Sequence, residues 1–245
     1  QMGLQVVGKL PIEKKPYYIR NGEGERYIFG TQVASIVATT ESTGDKMEIV
    51  QLSGGKGDYF PAHVHENAHE GIVVLDGRLE VELNGQVHLL TAGDYVHIPA
   101  GTVHAYWMQS HRTRFWSFTI NGNLAKLYSI IGEPFDKFER PPVSKNPLDP
   151  ECFSNAPDEI DIKFVPRQQP SGLPQLVKGC TIPELVQPYV LESGEGIHLL
   201  SGDTVHSLLT TKEAADGQFL ALVSEGPKGL PIGEHAHEYT NETFM

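Results

Sequence analysis

The chain has 245 residues, of which 39% are hydrophobic, and its formal net charge is −12. This length and hydrophobic content allow one or two domains with a substantial buried core. The acidic balance argues against nucleic-acid binding, because neutralising phosphates needs clusters of Lys and Arg and the sequence has none.

The sequence also lacks the features of membrane and exported proteins. Its apolar stretches are short and strand-like, so no membrane span is expected. The opening residues QMGLQVVGKL lack the apolar core of a signal peptide. This predicts a cytoplasmic location, or secretion if a signal has been removed. Cys152 and Cys180 fit no metal motif and are expected to be thiols, with one disulfide between them as the alternative.

Short strands separated by turn residues are predicted through the first half of the chain. Apolar and polar residues alternate over 47–52, and the apolar run 72–75 stops at Asp76-Gly77. Residues 79–83 alternate again and stop at Asn84-Gly85, directly before a further apolar run. Asp-Gly and Asn-Gly between apolar runs predict β-hairpins. Strands this short, with turns this frequent, indicate an all-β antiparallel jelly-roll barrel.

A change of composition after residue 121 predicts a linker. Leu124, Leu127, Ile130 and Ile131 have helical spacing, which predicts a short helix over 123–131. The proline-rich segment 139–151 must be a loop or an extended connection, and residues 183–186 are expected to form another helical turn. The predicted organisation is a first domain over 1–121, a linker over 122–182 and a second domain over 183–245.

Residues of the first domain recur at a constant offset of 172 positions. The segment PYYIRNGEG at 16–24 is matched by PYVLESGEG at 188–196. The same offset relates three polar residues of the first domain to three near the end of the chain, namely His63, His65 and Glu70 to His235, His237 and Glu242. Agreement without a gap indicates an internal duplication of one domain.

Four residues of the first repeat form a candidate metal site. His63 and His65 are two positions apart, so on a strand their imidazoles point to the same face. A bend would bring the carboxylate of Glu70 to the same point, and a turn at 99–101 would start a strand that presents His104. Three neutral imidazoles and one carboxylate suit a divalent transition metal with open coordination positions.

The spacing of these residues resembles the two sequence motifs of the cupin superfamily. The first motif is matched from Gly57 through the two histidines and Glu70 to Gly77, and the second from Gly93 through the 99–101 turn to His104. Met108 stands where the second motif usually has Asn, at a position that is not a ligand. Longer segments, including 16–30 and 93–114, are similar to the two-cupin quercetin 2,3-dioxygenases of bacteria and fungi. This resemblance extends from about residue 11 to the end of the chain.

The resemblance implies a duplicated cupin double-stranded β-helix that opens the heterocycle of a flavonol such as quercetin with O2, giving a depside and carbon monoxide. It implies that His63, His65, Glu70 and His104 bind the metal, and that Glu70 is also the base for the flavonol proton. Iron(II), manganese, cobalt, nickel and copper all suit these ligands. The alternatives are another cupin dioxygenase, an oxalate-type decarboxylase and a non-enzymatic, pirin-like metal-binding cupin.

The second repeat is expected to be the first part of a second cupin domain, truncated in this chain. His235, His237 and Glu242 are its candidate ligands, whereas the counterparts of Gly77 and His104 would lie beyond Met245. Half a barrel leaves strand edges unpaired. A separate chain or a missing segment is therefore the expected partner of this domain, and a homodimer is a further option.

Overall fold

The computed structural model describes residues 5–6, 8–137, 156–167, 172–178, 181–228 and 233–244. The elements up to the end of the first repeat are β1 (Gln5–Val6), β2 (Tyr17–Tyr18), β3 (Arg26–Phe29), β4 (Gln32–Ala38), α1 (Thr40–Thr43), β5 (Glu48–Gly54), β6 (Tyr59–Val64), β7 (His69–Asp76), β8 (Arg78–Leu83), β9 (Gln86–Thr91), β10 (Tyr95–Ile98), β11 (His104–Met108) and β12 (Thr113–Ile120). They are followed by α2 (Leu124–Ile131), β13 (Glu133–Pro134), β14 (Lys163–Phe164), β15 (Gln175–Leu176), β16 (Tyr189–Leu191), β17 (Ile197–Ser201), β18 (Thr204–Thr210) and β19 (Ala221–Glu225).

Two large sheets face each other and enclose the main core. One has the strand order β13-β3-β4-β5-β12-β7-β10-β16, and the other has the order β14-β6-β11-β8-β9-β15. All neighbouring strands in these sheets are antiparallel except β9 and β15. Leu52, Ile72, Leu79 and Phe115 are among the buried side chains between the sheets. The predicted all-β jelly-roll architecture is confirmed.

The two predicted hairpins have different outcomes. Asn84 and Gly85 have φ values of 48° and 82°, as a type I′ turn needs, and they join the paired strands β8 and β9. The hairpin predicted at Asp76-Gly77 is wrong, because β7 and β8 lie in different sheets and the chain crosses between the sheets there. Gly77 has φ 79°, and a Cβ on it would lie 2.2 Å from the Arg112 carbonyl oxygen, so the crossing requires glycine.

Helix α2 confirms the helix predicted after the first repeat. It buries Leu124, Leu127 and Tyr128, whose spacing places them on one face. Its N-cap residue Asn123 makes no side-chain capping bond. Instead the buried carboxylate of Glu48, on β5, accepts hydrogen bonds from the first two amides of the helix at 2.5 and 3.2 Å. A barrel strand therefore caps this helix.

The described parts of the predicted linker add strands to the barrel. β13 and β14 lie at sheet edges, and β15 lies at the edge beside β9. The domain boundaries at 121 and 182 stay predictions. The helical turn predicted at 183–186 is wrong, because these residues form a bend. The proline-rich segment 139–151 and both cysteines lie outside the described residues.

The second repeat divides between two places. Its first strand, β16, pairs with β10 of the first barrel. β17, β18 and β19 form an antiparallel sheet of their own. This small sheet exposes several large apolar side chains, including Ile197, Leu199, Leu200, Leu222 and Val223. Among the helices that the structure describes, none has the length and apolarity needed to cross a membrane.

Candidate metal centre

Both large sheets contribute to the ligand cluster. His63 lies on β6 and His65 directly after it, while His104 begins β11 and pairs with His63 in register. Glu70 comes from β7 in the opposite sheet, after a bend at 66–67. All four side chains are buried. Their candidate ligand atoms all lie within 4.8 Å of one another. The structure thus brings together the four residues that the sequence motifs selected.

Hydrogen bonds fix the orientation of the three imidazoles. The Nδ1 atoms lie 2.8, 2.5 and 2.9 Å from the backbone carbonyl oxygens of Pro61, Asp161 and Thr102, for His63, His65 and His104 respectively. A carbonyl oxygen can only accept, so each Nδ1 donates its hydrogen. The lone pair of each Nε2 is then free, which is the arrangement seen in metal-ligating histidines.

The centre of the cluster is lined by a carboxylate oxygen and imidazole nitrogens, which are atoms that bind cations. Oε2 of Glu70 lies 3.0 Å from Nε2 of His104 and 3.6 Å from Nε2 of His65. Nε2 of His104 and this oxygen form a hydrogen bond when the nitrogen carries a hydrogen, and a metal ion would take the place of that hydrogen. Nε2 of His65 is buried and has no hydrogen-bond partner among the described residues. A divalent cation among these atoms would satisfy all of them, and the donor set therefore fits a metal ion.

The protonation of the cluster agrees with this fit. Burial, followed by the neighbouring histidines His104 and His65, lowers the pKa of His63 well below its ordinary value. His63 is thus a neutral imidazole. Burial raises the pKa of Glu70, but its hydrogen bond with His104 and its interaction with the nearby His65 outweigh that effect, so the pKa lies well below its usual range. Glu70 is thus an ionised carboxylate, the form that binds metals.

Two further residues position the ligands, and the sequence motifs do not include either of them. Ser117, on β12, donates a hydrogen bond of 2.5 Å to Oε1 of Glu70. The carboxylate of Asp161 accepts hydrogen bonds from the backbone amides of residues 66, 67 and 68 at 2.9, 2.6 and 2.7 Å. Asp161 therefore holds the bend between His65 and Glu70, and its carbonyl orients His65. It lies in the segment that was predicted to be a linker.

A small and largely apolar cavity adjoins the cluster. Its volume is about 20 Å³, which is room for one or two water molecules. Residues outside the predicted first domain form one of its walls, namely Leu124, Leu127 and Tyr128 of α2 and the nearby Ile162. The three-ring flavonol that the sequence resemblance implies needs more space than this cavity provides. We call these four residues the roof.

The second candidate cluster is assembled but exposed. Ligand atoms of His235, His237 and Glu242 lie within 4.8 Å of one another, and all three side chains are solvent-exposed. Nδ1 of His235 lies 2.9 Å from the carbonyl oxygen of Gly233, as Nδ1 of His63 does from that of Pro61. The local geometry of the first cluster thus recurs at the offset of 172. Metal binding there stays a prediction.

Other buried histidines lie outside both clusters. The ring of His69 lies 6.4 Å from that of His97, away from the side on which Glu70 joins the ligands. His97 lies 3.0 Å from the carbonyl oxygen of Ala214 and 3.2 Å from the hydroxyl of Tyr95. These contacts connect the first barrel to residues of the second repeat.

Comparison with known proteins first places the barrel and its ligands in a class. The family model described as "Cupin domain" matches residues 53–115, which hold all four ligands of the first cluster. The structure of KdgF from Halomonas sp. has a TM-score of 0.39 and 22% identity, over 43% of this chain and 93% of that one. A predicted oxalate decarboxylase from Thermotoga maritima has a TM-score of 0.37 and 18% identity, over 39% and 90%. Neither structural likeness bears on activity.

A curated relative then defines the family more narrowly. Quercetin 2,3-dioxygenase of Bacillus subtilis is 53% identical over 235 residues, which are 96% of this chain and 70% of that protein. The chain belongs to the quercetin 2,3-dioxygenase family of cupins.

Proposed function

We propose that this protein is a metal-dependent dioxygenase that opens the heterocycle of a flavonol such as quercetin with O2, releasing carbon monoxide and a depside. The observation that supports this most directly is the 53% identity to a quercetin 2,3-dioxygenase over nearly the whole chain. The buried ligand cluster and its apolar cavity agree with it. Both atoms of O2 would remain in the depside, and one ring carbon would leave as carbon monoxide.

The metal would be held by Nε2 of His63, His65 and His104 and by Oε2 of Glu70. Such an ion supplies Lewis-acid polarisation of substrate oxygens and a route for electrons to O2. The chain's own contribution is to hold three neutral imidazoles in one orientation through their backbone partners. The identity of the metal is part of this proposal only as a divalent first-row transition ion, because iron(II), manganese, cobalt, nickel and copper share these ligand preferences.

Glu70 would accept the proton of the flavonol 3-hydroxyl. Its Oε2 faces the centre of the cluster, while its Oε1 is occupied by Ser117. The carboxylate is ionised and therefore able to receive a proton. A carboxylate with a lowered pKa is a weak base, so the transfer requires a substrate hydroxyl that is acidified at the site.

The composition of the cavity helps to separate this proposal from an oxalate-type decarboxylase. A small dianionic substrate would favour a cationic side chain beside the metal. Among the described residues that line the cavity there is no Lys or Arg, and most of the others are aliphatic or aromatic. An apolar wall suits a flat aromatic substrate instead.

The test uses the purified chain loaded separately with each candidate metal and checked by elemental analysis. Quercetin is added in air, carbon monoxide is measured by gas chromatography, and the depside is measured by mass spectrometry. We expect one carbon monoxide for each quercetin consumed with at least one metal. Metal-loaded protein that releases no carbon monoxide would overturn the proposal. Carbon dioxide from added oxalate would favour the decarboxylase instead.

A further inference from the structure

One hydroxyl group that lines the cavity forms no hydrogen bond with any residue that the structure describes. Apart from the four ligands, Tyr106 and Tyr128 are the polar residues that line the cavity in the described part of the chain. The hydroxyl of Tyr106 donates to Oε1 of Gln32 at 2.8 Å, and the amide of Gln32 in turn donates to the Tyr59 carbonyl oxygen at 2.8 Å. Tyr128 is only 8% exposed, yet no described residue forms a hydrogen bond with its hydroxyl.

Packing does not explain this hydroxyl. The Tyr128 ring contacts Phe29, with ring centres 5.4 Å apart, and a phenylalanine would make the same contact. The Tyr128 hydroxyl is not among the fully buried unpaired atoms of the described residues, which are Nε2 of His65 and Nδ1 of His69, so it is open to the cavity. A ligand that enters the cavity would provide the missing partner.

The surroundings make this hydroxyl a donor. Burial, followed by the negative charges of Glu70 and Glu48, raises the pKa of Tyr128 well above its ordinary value. The phenol therefore keeps its hydrogen at any physiological pH. Its position also matters, because Tyr128 lines the same cavity as the four ligands.

We propose that Tyr128 is a specificity-determining residue that donates a hydrogen bond to a phenolic hydroxyl on the rings of the flavonol. The inference rests on the proposed function. The oxygens of the heterocycle would be engaged at the ligand cluster, which leaves the ring hydroxyls as the substrate's other polar groups. The rest of the cavity wall offers them hydrocarbon, including Leu52, Phe60 and Ile72. Tyr128 is the described wall residue with a free donor.

The experiment compares two flavonols in two variants. Quercetin carries ring hydroxyls, whereas 3-hydroxyflavone has the same heterocycle without them. Dissociation constants are measured by quenching of tryptophan fluorescence, without O2, on metal-loaded wild type, Tyr128→Phe and Tyr27→Phe. We expect Tyr128→Phe to bind quercetin about 3- to 10-fold more weakly, as one hydrogen bond predicts, and to bind 3-hydroxyflavone unchanged. Tyr27→Phe removes a phenol that bonds Glu25 outside the cavity, and it should change neither constant.

The outcomes separate this inference from the proposed function. If wild type binds both flavonols and Tyr128→Phe weakens both equally or weakens neither, the role of Tyr128 is wrong and the proposed function stands. If wild type binds neither flavonol, the proposed function fails and this inference fails with it. Thermal unfolding of each variant shows that the fold is intact, which is expected because both substitutions keep the ring.

Discussion

The two carboxylate oxygens of Glu70 have separate partners. Oε2 faces the imidazoles of His104 and His65, and Oε1 accepts the hydroxyl of Ser117. Ser117 lies opposite Ile72 in the β12–β7 register, which places it diagonally across from Glu70 on the same face. A carboxylate held by one oxygen presents the other in a fixed direction. Ser117 thus positions the ligand without contacting the metal.

Replacing Ser117 should loosen the metal centre. Partners of metal ligands typically contribute 10- to 100-fold to metal affinity or activity. We expect Ser117→Ala to weaken metal binding about 10-fold, measured by competition with a chelator, and Ser117→Thr to restore part of it. Thr113→Ala is the matched control, because Thr113 is buried on the same strand and its hydroxyl donates to the Arg78 carbonyl oxygen instead. Equal metal affinity in Ser117→Ala and Thr113→Ala would contradict the positioning role.

Glu70→Gln tests the proposed base. An amide cannot accept the substrate proton, and general-base catalysis typically contributes 10²- to 10⁴-fold. We expect turnover of quercetin to fall by about 10²-fold or more in variant protein that still contains metal. Metal content must be measured in the same sample, since an amide is also a poorer ligand for a cation. Full turnover with metal retained would rule out the base role.

The sequence predicted the four metal ligands but not the two residues that position them. His63, His65, Glu70 and His104 are specified by short spacings on and between strands, so their convergence could be inferred locally. Ser117 lies 47 positions from Glu70, and Asp161 lies 93–95 positions from the amides that it binds. A serine on a strand and an aspartate in a linker are common, and only the folded register gives them a role.

Helix α2 carries three of the four roof residues and is attached to the barrel at its first turn. Its first amides are capped by Glu48, a residue of β5 that also lies 3.5 Å from the Thr119 hydroxyl. The helix was predicted from its apolar spacing, but its cap was not, because Glu48 precedes it by 76 positions. The crossing at Gly77 shows a similar limit. The Asp-Gly pair predicts a tight turn. It does not predict which of the two sheets the following strand joins, because that depends on the rest of the barrel.

The cap predicts a dependence of stability on pH. Burial raises the pKa of Glu48 from 4.5 to about 7. The folded state then binds more protons than the unfolded state between these values, so this carboxyl makes the protein less stable as pH rises through that window. At 1.36 kcal/mol per pH unit the effect is about 3 kcal/mol. The free energy of unfolding is measured with urea at several pH values. Between pH 4.5 and 7, the free energy of Glu48→Gln should rise by about this much relative to that of wild type.

The comparison should use the difference in unfolding free energy between Glu48→Gln and wild type. In wild type alone, His97 changes stability with pH in the direction opposite to Glu48. Burial lowers the pKa of His97 from 6.5 to about 4. The folded state favours the neutral form of His97. Its contribution to folding stability is therefore lost as pH falls through that range. In wild type the effects of Glu48 and His97 on stability therefore oppose each other between about pH 4.5 and 6.5. A constant difference between Glu48→Gln and wild type across pH would show that Glu48 does not titrate in this window.

At the scale of the whole molecule, the first barrel is closed and the β17–β18–β19 sheet is not. Ile197, Leu199 and Leu222 lie on one face of this sheet and are 46%, 51% and 43% exposed. Apolar groups of this size gathered on one small sheet usually mark a surface that another element covers. The internal repeat assigns this sheet to a second cupin barrel, which would place further strands over these side chains. An incomplete second barrel therefore stays a proposal, and the exposed apolar side chains of this sheet are the surface that its further strands would cover.

The exposed sheet should make the chain self-associate. We expect sedimentation velocity to show concentration-dependent association, and we expect an apolar dye to bind. Leu199→Glu together with Leu222→Glu should reduce both, because each introduces charge into the same apolar face of the sheet. Metal affinity of the first cluster should be unchanged in the double variant. A wild-type chain that stays monomeric at high concentration and binds no dye would show that this surface is not an interface.

The contact between Asp161 and the bend at 66–68 also determines when the metal centre can form. It closes a loop of more than ninety residues, whereas neighbouring strands such as β8 and β9 meet across a two-residue turn. Closing the longer loop costs more entropy, so contacts of this range form late in folding. During refolding, strand content measured by circular dichroism should return before the capacity to bind metal. The barrel strands would thus assemble first. The metal-binding geometry would be completed only when the segment containing Asp161 packs against them.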